Sequence, residues 1–404
     1  MVSFNSPWRS RQAHALHVAI ACALFLLAGT LFASSASAGP AAVFFGGIAF
    51  TDNATDVTRD FPQLSRLVDA TGNARINAAI RQELSTHPSS IELKFDQLGS
   101  IRDANQSTAL ALTIDRETTS VERIGGTYKV RLEIAAQLLF FDFKEKQVLG
   151  GFPLVLDYID IRSAPPTDEQ LQAGFRHMVF DTNDPRSLVS EFVAALGKAS
   201  VPKASSRYLR VAEVKLQPKA VEYMAQAAPT LDEETLRTQV AQEFGKYLAA
   251  NQGLAILPYR SNQALGASMA ARFIEGEAYE LKIPAADYDI SLDVAGFKKI
   301  EQSHSNVSTL FLYGAFVDID VREPLSGKRY FAQRVKQGAS KDVPMTQASV
   351  DDWSASYETL LLLFNNFTHA LGSSDGRWAK SALPEGRGAR DQLSSLTELI
   401  NTCR

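Results

Sequence analysis

The stretch Thr230–Pro258, TLDEETLRTQVAQEFGKYLAANQGLAILP, carries both periods from which the rest of the chain is built. Leu236, Val240, Phe244 and Leu248 recur at i+4 spacing and put four large apolar side chains on one helical face. Thr230-x-x-Glu233 has the spacing of a capping box, and Gly253 supplies the stop. The run Leu254-Ala255-Ile256-Leu257, ended by Pro258, predicts a strand. A helix with one apolar face needs a sheet to bury it, so this segment predicts a layered α+β unit.

Outward from that segment the pattern continues. Leu209 to Leu216 reads as the preceding strand, and an excursion from Tyr259 to Ala286 follows Pro258. A meander comes next, in which Ile290, Leu292 and Val294 alternate, Leu310 to Val321 forms a long middle strand, and the turn Leu325-Ser326-Gly327-Lys328 feeds Arg329 to Val335. A closing helix carries Trp353, Tyr357, Leu360, Phe364, Phe367 and Leu371 on one stripe, opened by Ser349-x-x-Asp352 and followed by Gly372.

The upstream half repeats this order. Ala42 to Phe50 predicts a strand, Ile76, Ile80 and Leu84 a helix stopped at His87-Pro88, and Ile91 to Phe95 a second strand. Leu110, Leu112 and Ile114, then Tyr128 through Phe143, then Phe152, Leu154 and Leu156 form a meander with turns at Gly125-Gly126 and Lys144–Gln147. After a Pro-containing excursion over 162–183, Asp184-Pro185 starts a helix bearing Leu188, Val189, Phe192 and Leu196, with Gly197 at its end. The two middle strands leave through similar sequence, Asp142-Phe143-Lys144-Glu145 and Asp320-Val321-Arg322-Glu323. The expectation is an α+β protein of two tandem similar domains, each a mainly antiparallel sheet with helices on one face. They span 39–199 and 208–372, are joined by a linker at 200–207, and are followed by a polar tail with a short helix at 373–404.

The chain starts with an address. Arg9 and Arg11 precede an uncharged run from Val18 to Ala33 that ends in Ala36-Ser37-Ala38, the pattern of a secretory signal peptide covering 1–38. The run is shorter than the roughly 20 residues of a membrane span, and a lipoprotein reading at Cys22 would leave most of that run on the mature chain. Cleavage leaves 39 basic residues against 45 acidic ones, a balance that does not attract nucleic acid. No transmembrane span is expected in the mature chain, which is expected in the periplasm or, alternatively, secreted. Cys403 remains alone near the end, where it reads as an inert frayed-end thiol or one half of an intermolecular disulfide.

The order of elements, with "Leu254-Ala255-Ile256-Leu257-Pro258", "Ala286-Asp287-Tyr288-Asp289-Ile290-Ser291-Leu292", a long strand, a Gly-Lys turn and a Trp/Tyr-rich closing helix, resembles two envelope families. One comprises the amino-terminal domain of TolB, the CsgG-type secretion subunit and the middle domain of the flagellar assembly protein FlgT. The other is the auxiliary lipoprotein of ABC-type transport systems, similar over "Asp289-Ile290-Ser291-Leu292-Asp293-Val294-x-x-Phe297" and "Ser326-Gly327-Lys328". The resemblance is best over 230–372 and fainter over 43–197, and it appears here duplicated. It implies a soluble periplasmic assembly or transport partner. The lipid-anchoring Cys at the mature start and the propeller repeats of those relatives are absent.

Motifs for chemistry are sparse. His87, His177, His304 and His369 are far apart and form no metal-binding spacing. Gly266-Ala267-Ser268-Met269-Ala270 approaches a nucleophile elbow without its final Gly, and Gly386-Arg387-Gly388-Ala389-Arg390-Asp391 starts like a dinucleotide loop without a preceding strand. Asp318 with Asp320, and Asp157 with Asp160, are carboxylate pairs that read as the solvated face of a sheet. No catalytic, cofactor-binding or metal-binding residue is expected, and no enzyme activity. The expected role is that of a non-enzymatic accessory protein for a cell-envelope complex, with an envelope protein as partner and the excursions 162–183 and 259–286 as contact surfaces. The alternatives are a carrier of a small apolar ligand or lipid, and a hydrolase using Ser268 or a carboxylate pair such as Asp320.

Overall fold

A computed structural model describes residues 41–52, 56–95, 107–203, 207–260, 268–273, 278–347, 350–373, 376–385 and 387–404. The signal-peptide reading, Cys22, Gly266, Ser349 and Gly386 lie outside them. The first half supplies β1 (Ala41–Asp52), α1 (Val57–Asp60), α2 (Leu64–Leu67), α3 (Ala70–Thr86) and β2 (Ile91–Lys94). The meander β3 (Thr108–Ile124), β4 (Thr127–Asp142) and β5 (Gln147–Arg162) follows, then α4 (Asp168–Phe180) and α5 (Leu188–Lys198). The second half supplies β6 (Leu209–Leu216), α6 (Pro218–Ala227), α7 (Glu233–Gln252), β7 (Ser268–Phe273), β8 (Ala278–Lys282), β9 (Tyr288–His304), β10 (Ser308–Arg322) and β11 (Arg329–Pro344). It ends with α8 (Asp352–Ala370), α9 (Arg377–Ala382) and α10 (Arg387–Cys403).

The α+β class is as expected, and the two sheets share a strand order. In each, the first strand lies parallel to the first meander strand, β1 beside β3 and β6 beside β9, and two antiparallel pairings complete the meander. Alternation sends one set of side chains into a helix layer. Val130, Leu132, Ile134 and Phe140 of β4 pack with Phe175 of α4 and Phe192 of α5, while Val317 and Ile319 of β10 pack with Phe244 of α7 and Phe364 of α8. Local capping sets the helix starts: Ser187 caps α5, Asp232 caps α7 and Asp351 caps α8, each accepting from a backbone N–H three residues on. The expected starts at Asp184-Pro185 and Thr230 are therefore displaced by a few residues, and Gly197 lies inside α5 rather than beyond it.

Three expectations are corrected. Within the 259–286 excursion, β7 and β8 are strands that extend the first sheet to the order β2-β1-β3-β4-β5-β8-β7 instead of loop belonging to the second half. Pairing of β7 with β1 then closes a ring around Ala109, Ala111, Leu139, Phe141 and Phe273. The 162–183 excursion folds as α4 under a Thr167–Gln170 capping box and buries Phe175, Met178 and Val179. The carboxyl-terminal tail is packed structure: Leu396, Leu399, Ile400 and Cys403 of α10 belong to the second core, and burial pushes the Cys403 thiol up to about 11. Frayed-end behaviour is thus excluded for a thiol sequestered in this way.

Residues 41–404 form one compact unit, and two features join its halves. Leu254–Leu257 makes a stitch instead of a full strand. Ile256 exchanges backbone hydrogen bonds of 2.7 and 3.0 Å with Gly151 of β5, and the Leu257 N–H donates to the Leu209 carbonyl of β6 at 2.9 Å. Helix α7 is the second, since it is buried on two sides. Leu236, Val240, Phe244 and Leu248 enter the second core as expected, while Gln239, Glu243, Gly245 and Ala249 are also buried.

The stitch requires close backbone approach. Gly150 has φ +137°, and a Cβ there would lie 2.8 Å from the Ala255 Cβ. Gly150→Ala is expected to lower unfolding stability by ~2–4 kcal/mol, combining backbone strain with overpacking. Gly126→Ala, at an open turn position with nothing within 4 Å, should change stability by less than about 0.5 kcal/mol. Urea unfolding of both variants measures the difference.

Candidate functional site

A cleft of about 420 Å³ lies between the outer ends of β3, β4 and β5 on one side and the starts of α7 and α8 on the other. Strand alternation builds its wall. Along β4, Val130, Leu132 and Ile134 enter the first core, so Lys129, Arg131 and Glu133 face the cleft. Register places Arg131 opposite Ser120 and Ile159, and Glu133 opposite Thr118 and Asp157.

The wall is a bonded charge network that crosses between the halves. Glu133, only 2% exposed, accepts from Arg116, from Arg131 at 3.0 Å and from Gln239 of α7 at 3.1 Å. Arg131 also donates to Asp157 at 2.7 Å. Burial opposes the Arg131 charge, but Asp157 and Glu133 outweigh it and push its pKa up. Lys129 donates at 2.6 Å to both Asp351 and Ser354. Burial alone would raise Asp351, yet the bonds from Lys129 and Ser354 hold its carboxyl below the usual range. The same carboxylate caps α8, so a strand of the first half fixes the start of a helix of the second.

Behind this wall, Glu243 of α7 lies 3.3 Å from Lys246, which also donates to the Val155 carbonyl of β5 at 3.2 Å. Burial pushes Glu243 up to about 7. Tyr357 of α8 stacks on Trp353 with centroids 5.9 Å apart and has the Arg131 guanidinium 5.6 Å from its ring centre. Burial, with the nearby Glu243 and Glu133 carboxylates, raises Tyr357 well above its ordinary value and keeps it a neutral phenol. Its buried hydroxyl has no hydrogen-bond partner among the described residues.

Of the residues singled out in the sequence for chemistry only Asp157 lies here, joined by Trp353 and Tyr357 from the stripe of the closing helix. Asp157 and Asp160 are three apart within β5 and so point to opposite faces, Asp157 to Arg131 and Asp160 to Arg162 at 2.7 Å; their expected clustering is corrected. Asp318 and Asp320 lie on the outer face of β10, paired with Arg334 at 2.6 Å and Arg329 at 3.0 Å. Ser268 opens β7 and donates to Glu280 on exposed β8. His87 lies beside Glu83, His177 beside Asp181 and Asp184, His304 beside Thr309, and His369 in the last turn of α8. Among the described residues no group of three or more His, Cys, Asp or Glu could hold a metal ion. Arg116, Lys129, Glu133 and Gln239 went unnoticed in the sequence, and Tyr357 was read only as part of the apolar stripe of the closing helix. The available signal was Lys129-x-Arg131-x-Glu133, three charges interleaved with the apolar residues of a central strand.

A second feature is the open edge of the four-stranded sheet, ordered β11-β10-β9-β6. The Ala332 N–H donates outward to the Gln392 side chain of α10 at 3.0 Å. Even-numbered residues of β11 therefore present their backbone groups to that edge. The Gly338 carbonyl is capped by the Gln337 amide at 2.8 Å, and Gln337 is itself held by Trp378 and Asn366. Beyond it, Ser340 and Asp342 are exposed, near exposed Ile300, Val307 and Met345 at the end of the ribbon.

Glu243 gives the cleft a pH signature. Its folded pKa lies above the ordinary carboxylate value, so the folded state binds the extra proton between about pH 4.5 and 7, and stability from this group is lost as pH rises through that window. Urea unfolding at pH 5, 6 and 7 should show Glu243→Gln gaining on the parent chain as pH increases. A difference between the two that is independent of pH would contradict this.

No family model matches this chain, and no curated protein matches its sequence. Among solved structures, it is similar to a minor lipoprotein from Acinetobacter baumannii at 12% identity, over 46% of this chain and 99% of that one, with a TM-score of 0.21. A neuraminyllactose-binding hemagglutinin homolog from Helicobacter pylori gives 11% identity over 45% and 91%, with a TM-score of 0.22. A DUF330 protein from Xanthomonas campestris gives 12% over 42% and 86%, with a TM-score of 0.20. The resemblance is weak, and at these scores it carries no functional argument.

Proposed function

We propose that this chain is a non-enzymatic accessory protein of the cell envelope, exported by a cleaved signal peptide, that serves assembly or transport by binding an envelope protein partner. The observation that carries this reading is the outer part of the β11 edge. A strand of 16 residues is long for a sheet edge, and natural proteins cover, charge or pair such edges. Here Gln392 and Gln337 satisfy the inner portion, and Lys336, Lys341 and Pro344 discourage random pairing without covering the outer portion. An extended partner segment adding beside Ser340 and Asp342 would take main-chain hydrogen bonds from the edge and a side-chain contact from exposed Met345 at its end. Among the described residues no helix is long and apolar enough to cross a membrane, which fits a partner-docking role at the envelope.

Two measurements test the reading. Mass spectrometry of the exported protein should show an amino terminus at Gly39. A photo-crosslinking residue at Ser340, introduced in envelope-producing cells, should give a discrete adduct with an envelope protein, and Gly338→Pro should abolish it. The same probe at Leu325, which is fully exposed in the β10–β11 turn, should give none. Absence of a discrete adduct at Ser340, or equal adducts at both positions, would overturn the edge as the docking surface.

A further inference from the structure

We propose that the cleft between β3–β5 and α7–α8 is a binding site for an organic cation with an apolar body. Three observations point to it. The first is charge. The lining contains Glu122, Glu133, Asp157, Asp232 and Glu358 against Lys129 and Arg131, a net charge of −3. Adding Arg116 and Asp351, which bond to Glu133 and Lys129, leaves that balance unchanged. The cations are committed: Lys129 to Asp351, and Arg131 to Glu133 and Asp157. An anionic ligand would have to break one of those pairs and leave a partly buried carboxylate without its cation. Glu122 and Glu358 stand apart, since neither forms an ion pair among the described residues, and they supply the attraction for a cation.

The second observation is the Tyr357 hydroxyl. The residue is 5% exposed and lines the cleft, and its oxygen is buried among Glu133, Glu243, Arg131 and Asp157 without a hydrogen-bond partner among the described residues. Buried hydroxyls are rarely left unpaired, because an unsatisfied polar group loses its water without a replacement. A ligand N–H reaching the floor would satisfy it, since a neutral phenol oxygen accepts. The third is the apolar material around that point. Trp353 stacks on Tyr357 within the lining, and Ile159 and Val121, 54% and 42% exposed, stand on the strand side. A cation with a hydrocarbon or aromatic body fits both; a bare metal ion would use only the carboxylates, and a neutral apolar molecule only the walls.

The test uses three probes of one shape and different charge, benzylamine, benzyl alcohol and benzoate, titrated into purified protein and followed by tryptophan emission and calorimetry. Benzylamine should bind saturably and about tenfold or more tightly than benzyl alcohol, and benzoate should not bind. Tyr357→Phe should weaken benzylamine by about fivefold, the worth of one ordinary hydrogen bond, with an unfolding midpoint no lower than that of the parent. The double variant Glu122→Gln, Glu358→Gln changes exposed or half-exposed positions and should weaken benzylamine by about tenfold, removing most of its salt dependence. No saturable benzylamine binding, equal binding of all three probes, or unchanged affinity in Tyr357→Phe would overturn the proposal. None of these outcomes bears on Ser340 crosslinking, which reads another surface.

Discussion

The structure depends on the four residues that follow α7. Had Leu254–Leu257 paired only within the second sheet, as β2 pairs with β1 in the first, the two halves would be separate layers joined by a linker. Instead Ile256 is hydrogen-bonded to β5 and Leu257 to β6, so one short segment belongs to both sheets. Buried backbone groups must find partners, and here those partners lie in the opposite half. This commits α7 to a position between the sheets, and β7 and β8, a few residues later, to closing the first sheet onto β1.

That position explains the composition of the site. Once both faces of α7 are buried, the face that would otherwise be solvated carries Gln239, Glu243 and Lys246 into contact with β4 and β5. Polar groups in such a place need partners: Glu133 accepts from Gln239, the Val155 carbonyl accepts from Lys246, and Glu243 pairs with Lys246. The network is expensive to desolvate and gives little net stability compared with apolar packing. It does fix geometry: Lys129 reaching Asp351 and Gln239 reaching Glu133 hold the starts of α7 and α8 against the strands. The open volume and the buried Tyr357 hydroxyl lie where those elements meet.

The repeated order of elements was legible because it rests on local periodicity. The i+4 spacing of Leu236 to Leu248, the alternation in β3–β5 and β9–β11 and the Gly253 stop, which adopts φ +61°, are properties of neighbouring residues. What the sequence hid depends on long-range partners. Ser268–Phe273 and Ala278–Lys282 form ordinary strands whose destination in the first sheet is set by β1 and β5. α10 carries its apolar residues at Leu396, Leu399 and Ile400, and only the second core shows what they cover. Most of the site was missed because charged residues between apolar ones normally mark a wet face. Lys129, Arg131 and Glu133 follow that pattern, and the helices that cover them come more than 100 residues later. Asp160, Asp318 and Asp320 were read in the same way and lie on partly exposed strand faces, paired with arginines.

The claim that a shared segment and a shared helix make one folding unit is tested most directly by urea unfolding followed on the same samples by tryptophan emission and far-UV circular dichroism. Trp353 and Trp378 lie in helices of the second half, whereas the dichroism signal arises from both halves. The structure predicts one cooperative transition with coincident midpoints for the two probes. A tryptophan transition displaced from a second, separable loss of secondary structure would show that the halves unfold independently, and would contradict the account.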